Sequence, residues 1–350
     1  MSLKVDPEFA KAAEPIARIL ASVPKAPAFD IESRVQGMAA FGAMAPPQSL
    51  AKGVEATNHQ FTSHDGTSVR LVHLSTTAKD DSAGPGPCVL HFHGGGYFGG
   101  SVEMITPSLS HLVAATAVQI FSVDYRLTPA HQHPVPVEDG FAALLWLLEN
   151  ATKFNIDPAR IALMGESSGG GLAASLALLA RDRNLSPPLA KQILVYPMID
   201  DRFDRDLSSI SQYVIWDSDD NKTGWKALLG EKFGTEAVSV YAAPGRAEDV
   251  RGLPSTYMDI GSLDFFLEAD LTYLTRLAAA EPARGNLSNI VGNYDPVSHR
   301  ETIADSDCED EMLEESCGVT FKGHDAIDGR VQGIQDTNID WKLKTIGPIK

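Results

Sequence analysis

The sequence predicts an α/β fold in which a mostly parallel central sheet carries helices on both faces. Between residues 88 and 281, short apolar runs of strand length alternate with longer stretches rich in Ala and Leu, the pattern of parallel strands joined by helices. The strand-length runs lie at residues 88–92, 118–123, 161–164, 192–196 and 255–261. The composition, 43% hydrophobic over 350 residues, is that of a globular protein that can bury a large core.

The first fifty residues are rich in Ala and Pro and precede the sheet. Apolar residues recur at helical spacing from Phe9 to Leu20, and a second helix is predicted over residues 31–41. This N-terminal segment (residues 1–50) is interpreted either as a cap over a functional site or as a surface helix pair. Residues 59–74 then predict a β-hairpin, because an Asp-Gly pair between two apolar runs is typical of tight hairpin turns.

A glycine-rich loop, His93-Gly-Gly-Gly-Tyr97, follows the first predicted parallel strand. Three consecutive glycines weaken a fold unless bare backbone is needed at that place. Backbone N–H groups that stabilise a developing oxyanion are one such need. The loop is therefore a candidate oxyanion-binding element.

Ser167 lies in the sequence Gly165-Glu-Ser-Ser-Gly169, between a predicted strand and a predicted helix. Glycines two residues before and two residues after a serine allow a sharp turn that exposes the hydroxyl, with the next backbone N–H in the same space. The positive end of the following helix favours an anion there. The motif alone also fits a plain strand-to-helix turn, whereas its flanking elements favour a catalytic serine.

Residues 202–251 interrupt the alternation of strands and helices and contain several aromatic residues. This insertion is interpreted as a second cap piece that forms an apolar pocket, or as a helical excursion with its own packing. The chain is accordingly divided into an N-terminal cap segment (1–50), a core domain (51–281, with 202–251 as cap insertion) and an atypical tail (282–350). Seven carboxylates between residues 305 and 315 predict a solvated, disordered run in this tail.

Several classes of protein are disfavoured by the composition. The net charge of −17 disfavours nucleic acid and anionic membrane surfaces as partners. The three cysteines have no zinc-site spacing, so neither a disulfide framework nor a metal site is expected, and no cofactor is implied. The sequence predicts neither a signal peptide nor a membrane span, and we expect a cytoplasmic protein. The oligomeric state is left open.

Seven motifs occur in an order that is characteristic of one superfamily. They are His93-Gly-Gly-Gly96, Asp124-Tyr-Arg-Leu127, Glu138-Asp139, Gly165-Glu-Ser-Ser-Gly-Gly170, Tyr241-Ala-Ala-Pro244, Leu253-Pro254 and Gly261-Ser-Leu-Asp264. On these residues the chain resembles the α/β-hydrolase superfamily, and within it the hormone-sensitive-lipase-like carboxylesterases (α/β-hydrolase fold-3 type). The resemblance covers roughly residues 50–280 and implies an α/β-hydrolase fold with a helical cap.

The resemblance implies a serine carboxylesterase that hydrolyses short- to medium-chain or small-molecule esters through a covalent acyl-enzyme. Ser167 matches the family's nucleophile. Asp264 matches the acid of the triad, which fixes and stabilises the imidazolium. The N–H groups of Gly94, Gly95 and Ser168 match the oxyanion hole.

Other residues near these motifs are expected to support the site. Glu166 is interpreted as structural, and His93 as a residue that orients the glycine loop. The substrate pocket is expected to include Tyr97, Tyr213 and Trp216.

The catalytic histidine is where the match to the family pattern ends. The family places a strand and then a short histidine-containing loop after the helix that follows the acid, but residues 282–294 contain no clear strand pattern. His299 is favoured, because it lies 35 residues beyond Asp264 (299 − 264), close to the usual separation. His324 is the alternative, with a better local sequence and a less suitable distance. A third alternative is that no histidine serves.

This uncertainty leaves two other functions open. One is a non-catalytic small-molecule-binding protein of the same fold. The plant gibberellin receptors, which resemble this group, are proteins of this kind. The other is an inactive product with an aberrant C-terminus, as an altered reading frame, an unspliced segment or a fusion would produce.

Overall fold

The computed structural model describes residues 5, 7–22, 25–44, 49–78, 84–261, 263–280 and 287–292. A single sheet organises them, with eight strands in the order β1-β2-β4-β3-β5-β6-β7-β8. The strands are β1 (Val54–Thr62), β2 (Ser68–Thr76), β3 (Gly86–Phe92), β4 (Gln119–Val123), β5 (Ile156–Glu166), β6 (Lys191–Val195), β7 (Ser255–Gly261) and β8 (Leu287–Gly292). The pairs β1-β2 and β2-β4 are antiparallel, and every pair from β4 to β8 is parallel.

Seven α-helices accompany the sheet in the described part of the chain. They are α1 (Pro7–Ser22), α2 (Ile31–Met44), α3 (Val102–Thr116), α4 (Val135–Glu149), α5 (Ser168–Asp182), α6 (Ser218–Leu229) and α7 (Leu267–Ala280). Short 3-10 turns lie at Ser208–Tyr213, Gly230–Lys232 and Pro244–Arg246. None of these helices is long and apolar enough to cross a membrane.

The parallel strands are buried on both faces of the sheet. In β5, Leu163 belongs to one hydrophobic core, together with residues of α4, α5 and α7, whereas the adjacent Met164 belongs to a second core, together with residues of α3. Since neighbouring side chains of a strand point to opposite faces, helices cover both sides of the sheet. The predicted fold class is therefore confirmed.

The N-terminal half of the sheet and the first helices also match the sequence. The predicted hairpin is formed by β1 and β2, with Thr62 opposite Ser68 and Gly66 in the turn at a φ of 85°. Helices α1 and α2 occupy the two stretches with helical spacing. The sequence pattern was sufficient here because the turn residues and the apolar periodicity agree.

Two elements were not predicted. Helix α3 contains Pro107 together with several Ser and Thr residues, which lower helix propensity, and its N-terminus is capped by the Ser101 side chain. Strand β8 lies in the stretch where no strand could be recognised, and it pairs in parallel with β7 from Thr256–Leu287 to Gly261–Gly292. The sheet therefore extends beyond the core domain that the sequence indicated.

Candidate functional site

Ser167 occupies a strained turn between β5 and α5. Its backbone has a φ of 53° and a ψ of −119°, an unfavourable combination for a residue with a side chain. The Ser167 N–H donates to the carbonyl of Val195 at 2.9 Å, and the Ser167 carbonyl accepts from the N–H of Met198 at 2.8 Å. These bonds to the end of β6 and the residues beyond it hold the turn in place. The predicted strand, turn and helix are all present.

The glycines on either side of Ser167 permit a close crossing of backbones. A β-carbon on Gly169 would overlap the carbonyl oxygen of Phe92, at the end of β3. A β-carbon on Gly165 would overlap the carbonyl oxygen of Gly169 itself. Helix α5 therefore begins directly against the ends of β3 and β5, at a distance that only glycine allows.

The glycine loop that follows β3 lies beside Ser167. A β-carbon built on Gly94 would be 3.4 Å from the β-carbon of Ser167 and 3.0 Å from the carbonyl oxygen of Glu166. Gly95 and Gly96 have φ values of 126° and 61°, which glycine adopts without strain. The loop therefore passes the serine as bare backbone. The structure thus brings together the serine and the glycine loop that were predicted separately.

His93 and Tyr125 support the glycine loop from below. The Tyr125 hydroxyl donates to the His93 carbonyl at 2.8 Å, and the two rings stack with their centroids 4.5 Å apart. The Nδ1 atom of His93 is 2.8 Å from the carbonyl oxygen of Gly94, so this nitrogen carries the proton. Burial lowers the pKa of His93, which keeps the ring neutral. These contacts fit a residue that orients the loop.

Next to Tyr125 lies an ion-pair network that is buried at one end and exposed at the other. Arg126, which follows Tyr125, pairs with Asp139 at 2.7 Å and with Asp65 at 2.6 Å. Asp139 is fully buried and also accepts a hydrogen bond from the Ser63 hydroxyl at 2.5 Å. The network joins the β1-β2 hairpin, the loop after β4 and helix α4. It accounts for two of the motifs found in the sequence.

Glu166 points away from the serine and into the sheet. Its Oε2 atom is 2.9 Å from Nε2 of His91, and Nδ1 of His91 is 2.9 Å from the Ser122 hydroxyl. The Glu166 and Ser122 residues are buried, and His91 is fully buried. The three side chains link β5, β3 and β4 beneath the turn. This geometry agrees with the structural interpretation of Glu166.

Asp264 lies beyond the carboxyl end of β7, at the same edge of the sheet as Ser167. Glu166, Val195 and Asp259 are in register across β5, β6 and β7, and the chain reaches Ser167 one residue beyond this row. The Asp264 Oδ1 atom accepts a hydrogen bond from the N–H of Phe266 at 2.9 Å. The carboxyl group is thus held at the start of the turn that leads into α7.

The electrostatic environment of Asp264 is unusual for an aspartate. Its pKa is raised to about 6, mainly by burial and to a smaller extent by the charge of Asp259. The hydrogen bond from the Phe266 N–H and the charge of Arg205 act in the opposite direction. The Arg205 guanidinium also donates a hydrogen bond to the Asp264 backbone carbonyl. A neighbouring cation stabilises a buried carboxylate in its charged form. In a catalytic triad, the imidazolium has this effect on the acid.

His299 and His324 both lie outside the described residues. The structure therefore does not test the choice between them. The predicted site residues that it does describe, Ser167, Ser168, Gly94, Gly95 and Asp264, all lie at the carboxyl edge of the parallel strands. This edge is where ligands bind in open α/β sheets.

Trp216, one of the three predicted pocket residues, contacts the glycine loop. Its ring occupies the space that a β-carbon on Gly96 would enter, and it stacks on Phe98 with centroids 6.0 Å apart. Tyr213 makes an edge contact with Phe9 of α1, at 5.5 Å between ring centroids. Tyr97 is buried, with 1% of its surface exposed, and packs against the core.

The N-terminal segment and the insertion are bound to each other above the glycine loop. Lys25 pairs with Asp217 at 2.5 Å, and Arg34 pairs with Asp220 at 2.8 Å. Met38 of α2 fits against the backbone of Gly99 in the loop. The two ion pairs join residues separated by 192 and 186 positions. The N-terminal segment and the insertion therefore contact each other beside the glycine loop, and their role as a cap stays a prediction.

An open cavity of about 600 Å³ lies between these cap segments. Its lining is mostly polar and includes Leu207 and Val214 as apolar residues. The charged residues that line it are Lys25, Arg205, Asp204, Asp206, Asp217 and Asp219. One of these residues, Arg205, also donates a hydrogen bond to the Asp264 backbone carbonyl. Its lining is more polar than the aromatic residues of the insertion predicted.

A parallel sheet with a serine on a strained turn at its carboxyl edge and a glycine loop beside it defines an α/β hydrolase. The chain belongs to this family, because the family model described as alpha/beta hydrolase fold matches residues 89–285. The family that the motifs predicted is confirmed.

The chain is similar to several named esterases. It is 34% identical over 197 residues to Esterase LipI of Mycobacterium tuberculosis, and the aligned residues cover 55% of this chain and 60% of that protein. It is 36% identical over 200 residues to Carboxylesterase NlhH of the same species, and the aligned residues cover 55% of this chain and 61% of that protein. The chain thus spans about three fifths of the length of the curated relatives it matches.

Solved structures of esterases are similar over a larger share of the chain. A bacterial heroin esterase is 34% identical with a TM-score of 0.69, over 82% of this chain and 87% of that one. A hyperthermophilic esterase from the archaeon Pyrobaculum calidifontis is 26% identical with a TM-score of 0.66, over 83% of this chain and 90% of that one.

Proposed function

We propose that this protein is a serine carboxylesterase that hydrolyses short- to medium-chain or other small-molecule esters through an acyl-enzyme. The observation that carries the proposal is the close approach of Gly94 to Ser167, since it sets bare backbone beside a half-buried serine on a strained turn. The esterase names of the similar proteins support the same activity.

In the proposed mechanism the Ser167 hydroxyl attacks the ester carbonyl, and its proton passes to a histidine. The N–H groups of Gly94, Gly95 and Ser168 stabilise the oxyanion of the tetrahedral intermediate. The histidine then gives the proton to the departing alcohol, which leaves the acyl group on Ser167. A water molecule, deprotonated by the same histidine, releases the acid and restores the serine. Asp264 orients the imidazole and stabilises its charged form.

Mutation of the two candidate histidines determines which of them is the general base of this mechanism. We expect wild-type full-length protein to hydrolyse p-nitrophenyl butyrate and His299→Ala to lose several orders of magnitude in kcat, because the general base is removed. His324→Ala is the matched comparison and should retain activity. The reverse pattern would transfer the assignment to His324. A wild-type rate equal to that of Ser167→Ala would contradict the esterase and favour a non-catalytic binding protein or an inactive product.

The activity and stability should depend on pH in opposite directions through Asp264. Its folded-state pKa of about 6 lies above the ordinary 3.8, so the folded protein bears the cost of a buried carboxylate at high pH, and this cost vanishes as the pH falls below 3.8. We expect Asp264→Asn to melt at a higher temperature than wild type well above pH 6, with a difference that shrinks toward pH 3.8. In wild type, kcat/KM should fall as the pH falls through about 6, because the carboxylate becomes protonated.

This prediction is checked by thermal unfolding and by esterase assays over the same pH series. Asp264→Asn should have little activity at any pH, since it cannot carry the charge that stabilises the imidazolium. Equal melting temperatures of variant and wild type at high pH would contradict the environment inferred for Asp264.

Trp216 is proposed as a wall of the substrate pocket because it lies against Gly96 of the glycine loop. We expect Trp216→Ala to lower kcat/KM for p-nitrophenyl butyrate by roughly tenfold, since a large apolar contact surface is lost. The adjacent Ile215, which is 62% exposed, provides a matched control, and Ile215→Ala should leave kcat/KM unchanged. Equal effects of the two substitutions on kcat/KM would contradict the proposal that Trp216 forms part of the substrate pocket.

The pocket roles of Tyr97 and Tyr213 stay predictions, as does a cytoplasmic location.

A further inference from the structure

A second, much smaller and partly open cavity lies behind the glycine loop. It has about 10 Å³ of room for the centre of a water molecule, which is near the minimum for a single water. Four of its lining residues carry polar groups, and one of them, Tyr241, already donates its hydroxyl to Asp182 at 2.8 Å. The other three come from different elements: Tyr97 ends the glycine loop, Ser175 belongs to α5, and His133 precedes α4. The remaining wall is largely apolar and includes Val137 and Leu172.

Two hydroxyl groups in this cavity have no hydrogen-bond partner among the described residues. They are those of Tyr97 and Ser175, which are 1% exposed each. A buried hydroxyl without a partner costs about 1–3 kcal/mol, so such groups are usually bonded to protein or to ordered water. Because both hydroxyl groups line the same cavity, we expect one shared hydrogen-bond partner between them.

The backbone of α5 explains why the two hydroxyls lie near each other. A β-carbon on Gly171 would be 2.6 Å from the Tyr97 hydroxyl oxygen, so this oxygen lies directly over Gly171. Ser175 is four residues further along the same helix and therefore lies on the same face, one turn away. The Tyr97 hydroxyl and the Ser175 side chain thus face the cavity from adjacent positions.

His133 supplies a third polar group. Its backbone N–H donates to the carbonyl of Leu228 in α6 at 3.0 Å, which fixes its place in the wall. Burial lowers the pKa of its ring to about 4, so the imidazole is neutral near pH 7 and offers one donor and one acceptor. Two hydroxyls and a neutral imidazole match the two to four polar partners that a buried water requires.

We propose that this cavity binds one water molecule, which hydrogen-bonds to Tyr97, Ser175 and His133. The water joins the end of the glycine loop to the helix that begins beside Ser167. It therefore fixes the distance between the loop N–H groups and the nucleophile, and Tyr97 and Ser175 act as positioning residues. Only the effect on turnover rests on the proposed esterase function.

The direct test is a high-resolution crystal structure of the full-length protein. We expect an ordered water peak within hydrogen-bond distance of the Tyr97 and Ser175 hydroxyl oxygens. A map without that peak, or with the two hydroxyls bonded directly to each other, would overturn the proposal. This measurement does not depend on any catalytic activity, so it separates failure of the water site from failure of the esterase assignment.

A double-mutant cycle provides a second test. Tyr97→Phe and Ser175→Ala should each lower the melting temperature by about 2–4 °C, because each leaves the water and the remaining hydroxyl short of a partner. The double variant should melt no lower than the less stable single variant, since both changes remove one shared partner. Additive losses would contradict a shared water.

Tyr273 serves as the matched control. It is fully buried, its hydroxyl also has no partner among the described residues, and it does not line this cavity. Tyr273→Phe combined with Ser175→Ala should therefore give additive shifts in melting temperature.

If the protein is an esterase, Tyr97→Phe should lower kcat several-fold and leave KM unchanged, because the position of the glycine loop is lost. An unchanged kcat would refute the positioning role of Tyr97.

Discussion

Ser167→Ala is expected to lower kcat for p-nitrophenyl butyrate by roughly four to six orders of magnitude. The substitution removes the atom that attacks the ester, so the covalent route is lost and only stabilisation of the oxyanion by the backbone remains. The strained backbone at Ser167, with its φ of 53°, is retained because alanine is no larger than serine. The loss should therefore be chemical, with the melting temperature close to that of wild type.

The control for this experiment is Ser108→Ala. Ser108 is exposed on α3, on the opposite face of the sheet from α5, and the variant should keep full activity. A Ser167→Ala variant that retains more than about one hundredth of the wild-type kcat would contradict the assignment, because removal of a triad nucleophile costs far more.

Gly169→Ala is expected to have the largest effect on stability. The added β-carbon would overlap the carbonyl oxygens of Phe92 and His93, so α5 must move away from the end of β3. Overpacking of this kind against backbone costs about 3 kcal/mol, which corresponds to a fall in melting temperature of roughly 4 °C for a chain of 350 residues. Since α5 also carries the Ser168 N–H, activity should fall with it.

Gly37→Ala is the matched control, because it is the same change within a helix. A β-carbon on Gly37 of α2 would meet nothing within 4 Å. This substitution should be neutral or stabilise the protein by about 0.5–1 kcal/mol, as alanine is the better helix former. Thermal unfolding of the two variants distinguishes the outcomes. Comparable stability of both would show that α5 does not need its close approach to β3.

The sequence was informative where local chemistry alone determines the structure. A serine between two spaced glycines requires a particular turn, and the flanking strand and helix are readable from their apolar patterns. The glycine loop was identifiable for the same reason. That these two features meet at Gly94 and Ser167 followed from the parallel order of strands, which places their carboxyl ends at one edge.

Other features depend on contacts that no local pattern reveals. Arg34 and Asp220 are far apart in sequence, and nothing near either residue indicates that they form an ion pair. Strand β8 is defined by its pairing with β7, since its own sequence, Leu-Ser-Asn-Ile-Val-Gly, has no clear alternation. The raised pKa of Asp264 likewise results from burial and from neighbours on other elements.

The most direct test of the account is covalent labelling of the full-length protein with diethyl p-nitrophenyl phosphate. An activated serine should displace p-nitrophenolate and gain one diethylphosphoryl group, and peptide mass spectrometry should locate the group on Ser167. One equivalent of p-nitrophenolate per chain, with no label on Ser167→Ala, is the predicted result. A chain that remains unlabelled, or that carries the group on another residue, would contradict the claim that Ser167 is an activated nucleophile.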